Sequence, residues 1–327
     1  MKISVAMCTY NGADFLSAQL GSILAQSRKP DEIVVCDDGS GDDTRRVLQG
    51  FAKQSDVPIS LHFNENNLGS VKNFEQAIRL CQGDVIALSD QDDVWRSDKL
   101  QLIEQALGKK DIGLVFSDAE LVDETLQPLA RRMWPEIGFD ANKRKLLRAG
   151  RALEVLVTGW TVTGATMAFR SQFRDFALPV PEGIAMIHDG WIALAVACVS
   201  GVAALDEPLI KYRQHYRQQI GAPARVQDVS KSGRIERWET ALRRRNSNNE
   251  LQEILSVLKE RLLAHSGVYE SGKALSFVED YSSHLRVRAN LPRRRLQRLP
   301  RILRELFSLR YHEYGNGLRS AAKDLVS

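Results

Sequence analysis

Nowhere in the 327 residues is there an uninterrupted apolar run of the roughly 18 residues that a membrane-spanning helix needs, so any contact with a bilayer is expected to be peripheral. The opening MKISVAMCTYNG carries an apolar run of strand length rather than the longer core of a signal peptide. Cysteine is sparse: Cys8, Cys36, Cys81 and Cys198 stand far apart with no CxxC pair, which argues against a disulfide framework and for buried thiols in a reducing compartment. These absences point to the cytoplasm, or at most to the inner face of the cytoplasmic membrane. No GxGxxG follows the first apolar run, which speaks against a dinucleotide oxidoreductase. The excess of positive charge is only +4, and nothing matches a nucleic-acid-binding module, so nucleic acid is not an expected partner.

What is present is an ordinary globular composition, 43% hydrophobic and 26% charged, long enough for one large α/β domain with an appendage. Over the first 120 residues, strand-length apolar runs alternate with helical spacing. Ile3 to Met7, EIVVCD, Ile59 to Phe63, Asp84 to Leu88 and Gly113 to Ser117 read as strands. Phe15 to Gln26, Asp42 to Lys53 and Phe74 to Leu80 read as helices between them. That alternation predicts an α/β fold with a mostly parallel sheet and helices on both faces. Ligands then bind outside the carboxyl ends of the strands, and three strands end in CTYNG, CDDGS and SDQDD. A catalytic domain is expected over 1–220, and a basic helical region over 221–327, where Ser230 to Arg245 and Leu251 to His265 show helical periodicity.

The strongest local signal is Asp90-Gln91-Asp92-Asp93 after the apolar DVIALS. Three carboxylates in four residues repel one another and call for a compensating cation. Asp90 and Asp92, two apart on extended chain, project to the same side, and oxygen ligands of this kind suit Mg²⁺ or Mn²⁺ bridging two phosphates. A solvated acidic loop capping the helix near Asp98 is the plainer alternative. In DDGS, Asp38 is placed to accept hydrogen bonds from a nucleobase, although helix capping would use the same residue types. Thr9 and Tyr10 close the first strand, where the Tyr10 ring can frame a base. Lys72 offers a counter-charge for a nucleotide or is simply a surface lysine. Asp189, in HDGW before an apolar stretch, is a general base or an N-cap. His215, in YRQH, is an imidazole ligand for the same cation or a packed histidine.

Taken together, VAMCTYNGADFLSAQLGSILAQSRKPDEIVVCDDGSGDDT, DQDD, HDGW and His215 resemble the family-2 inverting glycosyltransferases of the A-type fold over about residues 1–220. ALSDQDDVWRSDKL, the YRQH segment and YHEYGNGLRSAAKDLV look more narrowly like bacterial rhamnosyltransferases of cell-surface polysaccharide assembly. The resemblance implies a nucleotide-diphospho-sugar donor, dTDP-rhamnose in the narrower case, and a saccharide or lipid-linked acceptor. It also implies a divalent cofactor, Mg²⁺ or Mn²⁺. It puts Thr9 and Asp38 on the base, Asp90 near the ribose and metal, and Lys72 on the nucleotide. Asp92 and His215 would ligate the metal, and Asp189 would be the catalytic base. A non-catalytic nucleotide-sugar-binding module and a sugar-nucleotidyltransferase are the alternatives. The first has no use for a base, and the second usually carries a glycine-rich, arginine-containing loop that TYNGADF is not.

The last segment is strongly basic. Arg293, Arg294, Arg295, Arg298, Arg301 and Arg304 interleave with Leu296, Leu299, Ile302, Leu303, Leu306 and Phe307. That pattern predicts a basic amphipathic helix that either lies on anionic lipid or docks on the chain's own catalytic domain.

Overall fold

The computed structural model describes residues 1–159, 161–216, 218, 248–315 and 317–326. Among these, two units separate by packing: one takes in 1–182 with 186–218, the other 183–185 with 248–326. The expected helix from Ser230 to Arg245, and a domain boundary near 220, lie outside the described residues.

In the first unit, nine strands form one sheet: β1 (Ile3–Thr9), β2 (Glu32–Asp37), β3 (Ile59–Phe63), β4 (Val85–Ser89), β5 (Val94–Trp95), β6 (Ile112–Val122), β7 (Pro128–Arg132), β8 (Met167–Arg170) and β9 (Gly201–Arg213). Their order is β3-β2-β1-β4-β8-β6-β9-β5, with β7 on β6. The βαβ half, β1 to β4, is parallel throughout, as the alternation predicts. Beyond it the sheet is mixed. The short β8 runs antiparallel between β4 and β6, while β6 and β9 are parallel to each other. Because two antiparallel steps restore the direction, β1, β2, β4, β6 and β9 all point their carboxyl ends to the same edge. Thr9 stands opposite Asp37 and Met7 opposite Ser89, so the loops after β1, β2 and β4 rise side by side.

The helices α1 (Ala13–Leu24), α2 (Thr44–Gln54), α3 (Ser70–Leu80) and α4 (Lys99–Leu107) each bury one stripe. Leu16, Leu20 and Ile23 of α1 join Ile3, Val5 and Met7 of β1 and Leu100, Ile103 and Leu107 of α4 in one core. Helix α5 (His188–Val199) differs: Trp191 through Val196 are all fully buried, so it is surrounded and reads as apolar all round. The Trp191 indole N–H, which burial would otherwise leave unsatisfied, donates to the Ala177 carbonyl at 2.7 Å.

The second unit is helical: α6 (Asn248–Ala264), α7 (Gly272–Ala289), α8 (Arg295–Phe307) and α9 (Leu318–Val326), with a short helix at Arg310–Glu313. Helices α6 and α7 pack together, burying Leu251, Ile254, Leu255, Leu258 and Leu262 on one and Val278, Tyr281 and Leu285 on the other. A buried polar knot ties α7, α8 and α9. His284 Nδ1 lies 2.6 Å from Glu305 Oε2, Arg288 forks onto Asp324, and the Tyr311 hydroxyl donates to Asp324 at 2.8 Å. No described helix is long and apolar enough to cross a membrane.

Candidate active site

A cleft of about 610 Å³ opens at the shared carboxyl edge of the first unit. Thr9, Tyr10, Asp38, Asp90, Asp92, Asp189 and His215 all line it. Seven of the eight residues singled out in the sequence thus converge, from β1, β2, β4, α5 and β9. Lys72 does not line it. It sits on α3 with its ammonium 3.2 Å from Glu182 and 3.5 Å from Glu75, and these carboxylates account for its charge.

Each loop is held by side chains that the sequence places inside the motifs. The Gln91 side chain pairs with the backbone of Tyr10, accepting from its N–H at 2.8 Å and donating to its carbonyl at 3.0 Å, much as a neighbouring strand would. This brings Gln91 so close to Gly12 that a Cβ there would lie 2.1 Å from Gln91 Oε1. Gly12→Ala should therefore unseat the Gln91 amide and destabilise the chain by about 0.5–1.5 kcal/mol, the net worth of a lost hydrogen bond. Denaturant melts measure this, and an unchanged midpoint would mean the Gln91 clamp is dispensable.

The two carboxylates of DDGS divide their work. Asp37 accepts from the Thr9 hydroxyl at 2.9 Å and from the Ser40 backbone, bracing β1 against the turn. Asp38 accepts from the Leu68 N–H at 2.8 Å, the Gly69 N–H at 2.9 Å and the Asn64 amide at 2.9 Å, which closes the loop before α3 over it. Its Oδ2 carries one of these bonds and keeps acceptor capacity toward the cleft.

Three carboxyl groups of DQDD meet three fates. Asp93 is fully buried. Its Oδ1 accepts the Arg213 backbone N–H at 3.1 Å and its Oδ2 has no hydrogen-bond partner; burial, then Asp92 and Asp90, push it well above the usual carboxylate range. Asp90 faces the cleft, and burial, then the charges of Asp92 and Asp189, push it up to about 7. Asp92 Oδ2 lies 2.9 Å from His215 Nε2. Behind the loop, Arg213 donates to the Asp92 carbonyl at 2.6 Å and stands over the Phe15 ring at 4.9 Å. The fully buried Lys99 ammonium donates to the Ala165 carbonyl at 2.6 Å and lies 3.7 Å from the Trp95 ring centre. Burial pulls this lysine down to about 7 against the pull of Asp93 and Asp90.

Because Asp90 holds its proton in the fold up to about pH 7 but loses it near 3.9 when unfolded, its contribution to stability falls as pH rises through that window. Asp90→Asn removes the ionisation, so the variant should gain stability relative to the native metal-free chain from pH 4 to 7. Urea midpoints of both across that range check it, and parallel curves would refute it.

The donor set suits a shared ion better than a caged one. Among the described residues no three histidine, cysteine or acidic side chains converge as a closed metal cage. Asp92 and His215 stand as an adjacent oxygen and nitrogen pair, beside the buried carboxyl groups of Asp90 and Asp93, whose ionisation a cation would favour. Mg²⁺ and Mn²⁺ sites of this type take one or two protein ligands and complete their shell with substrate phosphates and water. The residues fit such an ion.

Asp189 sits in the first turn of α5. Its Oδ2 accepts the Gly164 N–H at 2.9 Å, and its Oδ1 the Gly190 N–H at 2.6 Å. Next to it the buried His188 stacks on Phe74, with ring centres 4.2 Å apart. His188 Nδ1 has no hydrogen-bond partner, and burial pulls the ring below its ordinary pKa. Gln91, Lys99, His188 and Arg213 are thus part of the site or its frame although the sequence reading passed over them. Gln91, His188 and Arg213 lie inside DQDD, HDGW and YRQH, and that adjacency was the signal available.

Comparison with known proteins agrees with this geometry. The sequence model of glycosyl transferase family 2 matches residues 4–176. An uncharacterized glycosyltransferase of Nostoc sp. is 30% identical over 219 residues, 66% of this chain and 65% of its own. The Escherichia coli UDP-Glc:α-D-GlcNAc-diphosphoundecaprenol β-1,3-glucosyltransferase WfgD is 32% identical over 121 residues, 37% of this chain and 47% of its own. The chain therefore spans between about half and two-thirds of the length of these relatives. Among solved structures, Staphylococcus aureus TarS 1–349 in complex with UDP-GlcNAc superposes with a TM-score of 0.57 at 13% identity, covering 99% of this chain and 91% of that one, which places the fold in the A-type glycosyltransferase class. With more than half of its length matched by the family model, the chain belongs to glycosyl transferase family 2.

Proposed function

We propose that the chain is an inverting glycosyltransferase that moves a sugar from a nucleotide-diphosphate donor onto a saccharide or lipid-linked saccharide acceptor in cell-surface polysaccharide or lipopolysaccharide synthesis. The observation that carries this reading is the meeting of Asp90, Asp92, Asp189 and His215 in one cleft with the loops of Thr9 and Asp38. A base-binding wall, a cation pair and a separate carboxylate are the three parts such a transfer requires.

In this reading the nucleotide lies against Thr9, Tyr10 and Asp38, with the diphosphate toward Asp92. The acceptor hydroxyl oxygen attacks the anomeric carbon as the bond from that carbon to the diphosphate oxygen breaks. Asp189 takes the hydroxyl proton, and the nucleoside diphosphate leaves with the bonding electrons. The two backbone N–H groups on Asp189 fix the plane of its carboxylate, so its remaining lone pairs are aimed before the acceptor arrives. A divalent ion held by Asp92 and His215, Mg²⁺ or Mn²⁺, would supply positive charge against the departing diphosphate. Lys72, paired with Glu182 and Glu75, is left out of nucleotide binding.

For the donor we propose dTDP-L-rhamnose, on the likeness of ALSDQDDVWRSDKL and YRQH to rhamnosyltransferases. The similarity to a glucosyltransferase named for UDP-Glc makes UDP-glucose the competing donor. Calorimetry with Mn²⁺ and a panel of dTDP-, UDP- and GDP-sugars separates them, with dTDP-rhamnose expected to bind tightest. Release of nucleoside diphosphate on adding acceptor marks a transferase. Release of pyrophosphate would mark a nucleotidyltransferase, and binding without turnover would leave only a sugar-nucleotide-binding module. For the lipid-linked acceptor, we place the chain at the inner face of the cytoplasmic membrane.

A further inference from the structure

Helix α8 carries two apolar stripes where a helix at a protein surface needs one. Ile302 is buried and Leu306 partly buried, packed with Tyr311, Ala321 and Leu291. The second stripe, Leu296, Leu299, Leu303 and Phe307, recurs at steps of three, four and four residues, which aligns it along one face. This stripe is open to solvent, with Leu296 81% and Phe307 85% exposed. A row of large hydrophobic side chains left in water costs solvation free energy in the isolated chain, and such rows mark contact sites.

The charges around it name the partner. By helical spacing Arg295 and Arg304 flank the stripe on its two sides, and Arg293 and Arg294 precede it. Arg295 and Arg301 donate only to the neutral carbonyls of Val326 and Asn290. No described carboxylate forms an ion pair with Arg293, Arg294, Arg295, Arg301 or Arg304, whereas Arg288 and Arg310 nearby are paired. A second copy docking on this face would bring two arginine rims together, and like charges in contact oppose it. An anionic lipid surface instead offers an apolar interior for the leucines and negative headgroups for the rim.

We infer that α8 lies in the interface of an anionic bilayer, with Leu296, Leu299, Leu303 and Phe307 dipped toward the acyl chains and Arg293, Arg294, Arg295 and Arg304 on the phosphates. This deepens the peripheral-membrane part of the function proposed above and rests on it only there. The surface is complete within the second unit.

The test is flotation of the full-length chain with vesicles of phosphatidylglycerol in phosphatidylethanolamine, against vesicles of phosphatidylcholine alone. The chain should float with the anionic vesicles only and detach as salt is raised from 50 to 500 mM, as the headgroup attraction is screened. Leu296→Ser with Leu303→Ser and Phe307→Ser should lower vesicle affinity more than tenfold. Arg293→Gln with Arg294→Gln and Arg304→Gln should do the same, since each arginine at an anionic surface is worth about fivefold. Unchanged melting temperature and donor affinity in both triple variants separate this from misfolding. The assay contains no sugar donor, so it fails or succeeds independently of the transfer reaction. A native chain that stays unbound with anionic vesicles overturns the inference, and so does binding that neither variant weakens. A dimer in light scattering that the serine variant converts to monomer would assign the stripe to self-association instead.

Discussion

Asp189→Asn should transfer sugar about 10²–10⁴-fold more slowly than the native chain while binding the donor with nearly the same affinity, the range a positioned general base contributes. The substitution is close to isosteric, and the structure says where its effect will fall. Oδ2 of Asp189 accepts from the Gly164 N–H and Oδ1 from the Gly190 N–H. An asparagine can keep only one of these bonds, because its amide nitrogen is a donor with no available lone pair to accept a backbone N–H. The side chain therefore loses the proton-accepting oxygen and part of its support together. Asp189→Ala separates the contributions, as it removes the base without placing a donor against a backbone N–H. If the base is what counts, both variants lose turnover to a similar degree and neither loses donor affinity in calorimetry. Turnover by either variant within about tenfold of native would remove Asp189 from that role. A large drop in donor affinity would recast it as a binding residue. The fall must appear in kcat at saturating donor, since an interaction made only as the proton moves leaves ground-state binding untouched.

Why the meeting of the strand-end loops was legible and other parts of the cleft were not follows from what a sequence encodes locally. Strand-length apolar runs ending in acidic or glycine residues fix both the element and the edge where it ends, so the sequence alone places CTYNG, CDDGS and SDQDD together. Alternation also gives the sense of pairing for β1 to β4, because a crossover helix forces parallel neighbours. Past residue 110 that rule lapses. Nothing in the sequence there announces that Met167–Arg170 pairs as a short strand, or that it runs antiparallel between β4 and β6.

Side-chain allegiance is harder still. Lys72 is a basic residue near a predicted nucleotide loop, and only the fold shows Glu75 on the next turn of its own helix and Glu182 from a distant segment claiming its ammonium. Asp38 reads as a ligand for a base, and the structure adds its three protein donors. Lys99, at the start of an amphipathic helix, has the sequence signature of a solvated residue. It is fully buried because Trp95 and the Ala165 carbonyl receive its ammonium, and its carbonyl partner lies 66 positions away. Residues that act through long-range partners leave no periodic trace.

Asp92→Ala should cost about 10²–10³-fold in kcat, the magnitude seen when one stabiliser of developing negative charge is removed, and should abolish the response to added metal. The reasoning starts from the pair itself. Asp92 Oδ2 and His215 Nε2 lie 2.9 Å apart, with Arg213 clamping the Asp92 carbonyl and the Phe15 ring against His215 at 4.4 Å. The Asp92 backbone and the His215 ring are thus held in place, and the two atoms that a cation would have to bridge face each other at the wall of the cleft. Without a cation, burial and then the neighbouring carboxylates push Asp90 and Asp93 toward their protonated forms, so the cluster carries an electrostatic cost that an ion would relieve. Two consequences separate this from a purely structural acidic loop. First, EDTA should stop transfer, and Mg²⁺ or Mn²⁺ should restore it in the native chain but not in Asp92→Ala. Second, Mn²⁺ with nucleoside diphosphate should raise the melting temperature of the native chain, and His215→Ala should need on the order of 10–100-fold more Mn²⁺ for the same shift, comparable to losing a partner of a metal ligand. The thermal measurement needs no acceptor and no turnover, so it tests the cation pair even where the donor sugar is wrong. Full transfer in chelator, together with a melting temperature that Mn²⁺ leaves unmoved, would mean that the carboxylates at this edge serve only the protein's own loops.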